Sequence, residues 1–176
     1  NLKGKDGKIK TIVGIACQMV YKDEKLDLED IKVIKVPKTI NNMADDCFSN
    51  FLNLEKVEIS NENEIYTSKD GVVYTKGRDT IHVIPYALEL DTLFFQHNIS
   101  AVNDYAFSLQ PFRFSFPASD DFVQQIYDSL HMIRHFVANT KLKHLGERAF
   151  FYSPIESFLN FEKTSVNVIP YECFKD

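Results

Sequence analysis

The chain has 176 residues, of which 44% are apolar, 13% aromatic and 26% charged. This length fits one domain, the apolar share is too high for a disordered chain, and no run approaches the roughly 20 consecutive apolar residues of a membrane helix. The net charge of −5 argues against nucleic acid as a partner, because that attraction calls for a basic excess.

The charge is unevenly spread. Residues 1–60 carry ten acidic and ten basic side chains, so residues 61–176, with fifteen acidic and ten basic, hold the whole excess. Lys3, Lys5, Lys8 and Lys10 lie among glycines and read as a solvated terminus. The chain starts at Asn1 with neither Met nor an apolar leader, as expected of a processed or trimmed protein. Within residues 1–30, Ile9, Ile12, Ala16 and Cys17 are a loose echo of a pattern that is sharper downstream, which suggests a degenerate first coil or a cap.

From residue 31 an internal repeat organises the sequence. Apolar residues spaced apolar-x-x-apolar-x-apolar occur at Ile31, Ile34 and Val36, then at Leu54, Val57 and Ile59, and at Leu90, Leu93 and Phe95. They recur at Pro111, Phe114 and Phe116, at Ile133, Phe136 and Ala138, and, with Asn160 in the last place, at Ile155, Phe158 and Asn160. The central members are 23, 36, 21, 22 and 22 residues apart. A second run follows four of these triplets with identical spacing: Ile40, Met43, Cys47, Phe48; Ile99, Val102, Ala106, Phe107; Leu142, Leu145, Ala149, Phe150; and Val166, Ile169, Cys173, Phe174.

Such periodicity specifies stacked coils. Alternate residues of a short strand point to opposite faces, so the second and third members of each triplet share the inward side. One coil cannot bury that side alone, and stacking makes a continuous core. Lys35, Lys56, Glu58, Arg113 and Ser115 then point outward. The long interval contains about 14 extra residues, with β-rich runs at 72–75 and 80–84 around Lys76-Gly77-Arg78-Asp79, so a β-hairpin is expected near 68–85. Phe122, Val123, Ile126, Tyr127 and Leu130 share one helical face, which predicts an α-helix over 120–130. The expected fold is an α+β repeat: a solenoid of about six coils of 21–23 residues with an inserted hairpin, forming a single domain over residues 1–176.

The copies "IKVIKVPKTINNMADDCF" at 31–48, "NISAVNDYAF" at 98–107 and "NTKLKHLGERAF" at 139–150 resemble the BspA-like branch of the leucine-rich repeats. "SKDGVVYTKGRDTIHVIP" at 68–85 resembles the hairpin that interrupts such arrays. Proline follows the strand in two copies only (Pro37 and Pro117), and the 117–137 coil lacks the Ala-Phe pair. The resemblance, over about residues 28–176, implies a non-enzymatic module of a secreted or cell-surface protein that binds host extracellular proteins.

Catalytic chemistry finds little support. His131 and His135 are four apart, but the register puts residues 133–138 in a strand, and no Glu stands at metalloprotease spacing, so no metal or cofactor is expected. Cys47 and Cys173 fall where Ala106 and Ala149 stand in sister repeats, which is a packing position. Asn98-Ile99-Ser100 is a lone glycosylation sequon. Tyr66, Tyr74 and Tyr86, with Phe151 and Tyr152, are candidates for exposed aromatic anchors. The expected function is protein or glycan binding through the outward residues of the strands at an extracellular or cell-surface location. The alternative is a structural spacer or assembly segment.

Overall fold

The computed structural model describes residues 14–15 (backbone only), 31–49, 51–108 and 133–174. Among them are twelve short strands. These are β1 (Gly14–Ile15), β2 (Val33–Val36), β3 (Asn42–Met43), β4 (Lys56–Ile59), β5 (Tyr66–Lys69), β6 (Val72–Thr75), β7 (Thr80–Val83), β8 (Thr92–Phe94), β9 (Ala101–Val102), β10 (His135–Val137), β11 (His144–Leu145) and β12 (Ser157–Leu159). The only helical element among the described residues is a single 3-10 turn at Phe161–Lys163. The expected α content is therefore not seen there, and the helix expected over 120–130 lies outside the described residues.

Each described triplet contributes one strand to a first set of parallel sheets, and the first three of the four second runs contribute β3, β9 and β11 to another. β2 pairs with β4, placing Ile34 beside Val57 and Val36 beside Ile59. β10 lies between β8 and β12, with Phe136 beside both Leu93 and Phe158. On the opposite side β1 pairs with β3, while β7, β9 and β11 run parallel, with Val102 beside Leu145. Residues equivalent in the repeat are thus neighbours in the ladder, and their side chains stack like on like. Past the strands the second set continues as main-chain bonds between successive bends: Ile84 N–H to Ala106 O (2.7 Å), Phe107 N–H to Ala149 O (2.8 Å) and Phe150 N–H to Cys173 O (2.9 Å).

The direct pairing of β8 with β10 corrects one expectation. A strand centred on Phe114 was to stand between them, yet Leu93 and Phe136 are ladder partners and leave no place for it there. Residues 109–132 lie outside the described residues. A smaller correction concerns Leu90, which is 39% exposed, whereas Leu88 is buried. Ile169, expected in the core, is likewise 59% exposed.

The insertion is a three-stranded antiparallel ribbon, one strand more than the expected hairpin. β5 and β6 are joined by Asp70-Gly71, whose positive φ angles (51° and 85°) match a hairpin turn of right-handed twist. β6 returns to β7 through the Lys76–Asp79 turn, so the hairpin read from the sequence is present there. The ribbon bridges the two sides of the fold. Its first turn caps β4, with Val57 N–H bonded to Gly71 O (3.1 Å) and Ile59 N–H to Ser68 Oγ (2.9 Å). Its last strand, β7, starts the parallel set that β9 and β11 complete.

The inward positions form two apolar clusters. One gathers Val36, Ile40, Met43, Phe48, Leu54 and Val57, and the other is centred on Phe136, which is fully buried. Around Phe136 the rings of Phe95, Phe107, Phe150 and Phe158 stand 6.1, 5.4, 5.2 and 5.9 Å away, mostly edge to face. The chain enters the buried small residue of each later bend through a left-handed conformation at Tyr105, Arg148 and Glu172 (φ 54°, 52° and 48°). Side chains are costly there, and these three offset the cost by bonding to one another: Arg148 grips Glu172 at 2.6 Å and reaches the Tyr105 hydroxyl at 3.4 Å.

Gly146 stands at a close approach of main chain between coils. A Cβ there would lie 2.3 Å from main-chain atoms of Asn103 and Asp104, so β11 would have to leave β9. Gly146→Ala is expected to cost about 3 kcal/mol or more, while Gly77→Ala, whose nearest neighbour would be an Asp79 side-chain atom at 3.7 Å, is expected to stay within about 0.5 kcal/mol. Denaturant midpoints of the two variants check this, and equal losses would show that the packing around Gly146 is looser than described.

Candidate functional site

The outward sides of two strand sets offer candidate surfaces, and the two differ in chemistry. On β2 and β4 the surface is charged. Lys35, Lys56 and Glu58 are brought together, as the alternation of the sequence requires. Glu58 stands 3.5 Å from Lys35 and 2.7 Å from Lys56. Lys32–Glu55 and Lys38–Glu62 add two further bridges of 2.7 Å between the same coils. The Lys56 bond is the main cause holding the Glu58 carboxyl below its ordinary value, and the Glu58 bond holds Lys56 above its own. These charges largely satisfy each other across the coil boundary, and exposed pairs of this kind add little stability. Arg113 and Ser115, the other two expected members, lie outside the described residues.

On β8, β10 and β12 the outward face is apolar and polar in alternate rows. Register places Phe94 beside Val137 and Val137 beside Leu159. Phe94 is 68% and Leu159 53% exposed, although both are large apolar side chains. The adjoining row is Thr92, His135 and Ser157, with His135 Nδ1 3.0 Å from Ser157 Oγ. His135 Nε2 stands 3.8 Å from Asp91 and 3.9 Å from Glu156, and Glu156 also takes a 2.8 Å bond from Arg134. The rim of the apolar row is therefore charged but internally matched. The sequence carried the signal for this row: 94, 137 and 159 occupy the same repeat position as Lys35 and Glu58. Seeking polar residues at outward positions passed over the three apolar ones.

Other expected site residues turn out to be structural. Tyr66, Tyr74 and Tyr86 are buried, which corrects their reading as exposed anchors. The Tyr66 hydroxyl accepts the Met43 N–H at 3.2 Å, its ring lies 5.0 Å from that of His82, and Tyr86 packs on Phe107 at 5.9 Å. Phe151 and Tyr152 are half-buried, with the Arg148 guanidinium 5.3 Å from the Phe151 ring. Cys47 and Cys173 are buried at their repeat position, and burial pushes the Cys173 thiol up to about 11, away from nucleophilic use. Asn98 spends its side-chain amide on Gly77 O and Arg78 O, tying the ribbon to the next coil. His135 is on β10 as the register required, while His131 lies outside the described residues. Among the described residues no three His, Cys, Asp or Glu side chains converge as metal ligands. No helix among them is long and apolar enough to cross a membrane.

With this geometry in hand, the comparisons with known proteins are specific. The chain matches the BspA type leucine-rich repeat region over residues 26–70 and 86–176, in six copies. It belongs to that family. The unmatched residues 71–85 are those of β6, β7 and their flanks, so the BspA-type pattern resumes where the inserted ribbon ends. The curated proteins include no match. Among solved structures, the chain is similar to the pneumococcal vaccine antigen PcpA (16% identity, TM-score 0.57), covering 73% of this chain and 27% of that one. It is similar to a leucine-rich repeat protein from Eubacterium ventriosum (16%, 0.52), covering 80% and 38%. A leucine rich cell surface protein from Faecalibacterium prausnitzii (13%, 0.60) is covered to 33% by 82% of this chain. At these identities the likeness is one of fold, and the BspA-type chain spans between 27% and 38% of the length of these structures.

His82 is the buried histidine of the BspA-type core among the described residues. It is 5% exposed, its Nδ1 stands 2.9 Å from the Asn103 amide, and that amide also donates to Asp45. Burial brings its pKa down from 6.5 to about 4, against the opposing pull of the Met43 main chain. The unfolded chain therefore binds a proton that the folded chain refuses between these values. The contribution is complete above about pH 6.5 and is lost as pH falls toward 4, by about 3 kcal/mol in all. Urea midpoints at pH 7 and pH 4.5 are expected to show this fall, with a shallower one in His82→Gln. An equal slope in both proteins would clear His82 of the effect.

Proposed function

We propose that this chain is a non-enzymatic protein-binding module, a single repeat domain whose coils wind as a solenoid and whose outward strand face meets the partner. The observation that carries this reading is the in-register row Phe94, Val137 and Leu159, in which Phe94 and Leu159 are large apolar side chains left mostly exposed to water on either side of a half-buried Val137. A fold gains nothing from such exposure, and aromatic or aliphatic anchors beside polar neighbours are what an interface core is made of. The neighbouring row Thr92, His135 and Ser157 supplies hydrogen-bonding groups beside it. Lys35, Lys56 and Glu58, with Arg113 and Ser115 of the sequence pattern, would form the polar remainder of the contact. Because the charges of the rim are matched, the reading favours a protein partner over an anionic polymer.

The solved neighbours named as a vaccine antigen and a cell surface protein support an extracellular or cell-surface setting for this module. In that setting the partner is a host extracellular or surface protein, and adhesion is the outcome of binding. Assembly into a larger surface structure is the competing reading.

The test is binding of the purified chain to a panel of extracellular-matrix and serum proteins. A specific, saturable interaction is expected. Phe94→Asp should weaken it about tenfold or more, as loss of an anchor does, while charge reversal at Lys35 and Lys56 should change it only a few-fold. A folded chain that binds nothing on the panel would oppose the module reading. Loss of binding on Lys35 and Lys56 reversal, with Phe94→Asp silent, would move the site to the charged half.

A further inference from the structure

The ladder of β8, β10 and β12 sets the spacing of every outward row, because neighbouring strands lie about 4.8 Å apart. The apolar row Phe94, Val137 and Leu159 therefore runs straight across three strands and spans roughly 10 Å. It is one residue wide. Thr92, His135 and Ser157 flank it on one side, and the polar Gln96 and Asn139 come two residues after Phe94 and Val137 on the other. The main chain beneath the row is already spent, since β10 pairs with β8 on one side and with β12 on the other, in the plane of the sheet. Beyond the polar row Arg134 answers Glu156 at 2.8 Å. The Asp91 carboxylate, with 73% of its side chain exposed, is matched among the described residues only by the His135 ring, 3.8 Å away and a cation only when protonated.

We propose that the occupant of this face is a basic amphipathic helix of the partner protein, laid across the strands with its apolar stripe on Phe94, Val137 and Leu159 and a Lys or Arg beside Asp91. This rests on the reading of the chain as a protein-binding module and names what that module takes. Three observations select the occupant. The first is spacing: helix residues at i, i+3 or i+4, and i+7 share one stripe and span about 10.5 Å, close to the length of the row, whereas alternate residues of an extended segment span about 13.5 Å and fall out of step. The second is the main chain. An extended segment crossing the strands would find no N–H or C=O free on this face and would leave its own unpaired, while a helix satisfies its main chain internally. The third is charge. Residues 61–176 carry the whole net charge of −5, and Asp91 stands unpaired beside the polar row whenever His135 is neutral, so a cation on the helix flank completes the match and a carboxylate there meets repulsion.

Two labelled Leu–Lys peptides of identical composition test this, each about 18 residues long so that a helix can form. One carries Leu at helical spacing and the other at alternate positions, and each is titrated with the whole chain by fluorescence anisotropy. The helical peptide is expected to bind saturably, and the alternating one about tenfold more weakly or worse. Phe94→Asp should weaken the helical peptide about tenfold or more, and Asp91→Asn a few-fold, with the circular dichroism spectrum of the protein unchanged. If Phe94→Asp disturbs the fold, Leu159→Asp makes the same test at the other end of the row. Equal binding of the two peptides overturns the proposal, as does helical-peptide binding that neither Phe94→Asp nor Leu159→Asp weakens. A helical peptide that fails to bind, while a protein of the matrix and serum panel still binds through Phe94, overturns the helix and leaves the module reading standing. If neither binds, both fall.

Discussion

Everything in this fold depends on parallel pairing of very short strands in a fixed register. A strand of two to four residues makes too few hydrogen bonds to persist by itself, and its apolar side chains cover only part of a core. Stacked on an equivalent strand, it gains a partner for its main chain and a floor for its side chains at once. The ladder that sets Phe136 beside Leu93 and Phe158 also fixes where the intervening bends fall, and so places Ala106, Ala149 and Cys173 in one line. Small residues are needed in that line because the Phe that follows each fills the space between coils. The buried thiol of Cys173 is thus explained by geometry, with no chemistry required of it.

Register also decides what the surface looks like. Outward residues of adjacent coils stand in rows, so each row repeats one sequence position. Between β2 and β4 those rows hold opposite charges that neutralise one another. Between β8, β10 and β12 one row is apolar throughout. The two halves of the sheet face thus have separate characters, and the inserted ribbon marks the division.

Much of this was legible in the sequence. Triplet spacing located the strands of the first sheets, and the second run located β3, β9 and β11 together with the buried Cys47, Ala106 and Ala149. The long interval located the insertion. What could not be read was adjacency. Periodicity says that coils stack but not which coil meets which, and the ladder sets β8 directly beside β10 although the triplet at 111–116 falls between them in sequence. Exposure of Tyr66, Tyr74 and Tyr86 was misjudged for a related reason: the ribbon lies between the two apolar clusters, where both of its sides are covered. The candidate face was half visible. Its charged members stood out by type, whereas Phe94, Val137 and Leu159 look like core residues until the strand direction is known.

The ribbon has a consequence for how such an array can change. Val73 of β6 packs into the cluster formed by the coils before it, and Val72 and Tyr74 pack into the cluster formed by the coils after it. The strand acts as a firewall between two packing problems that are solved separately. Coils on one side can be duplicated, lost or reshaped without the other side having to repack, provided β6 keeps both faces. An insertion that first reads as an interruption of the repeat is then what lets an ancestral array diversify one half at a time.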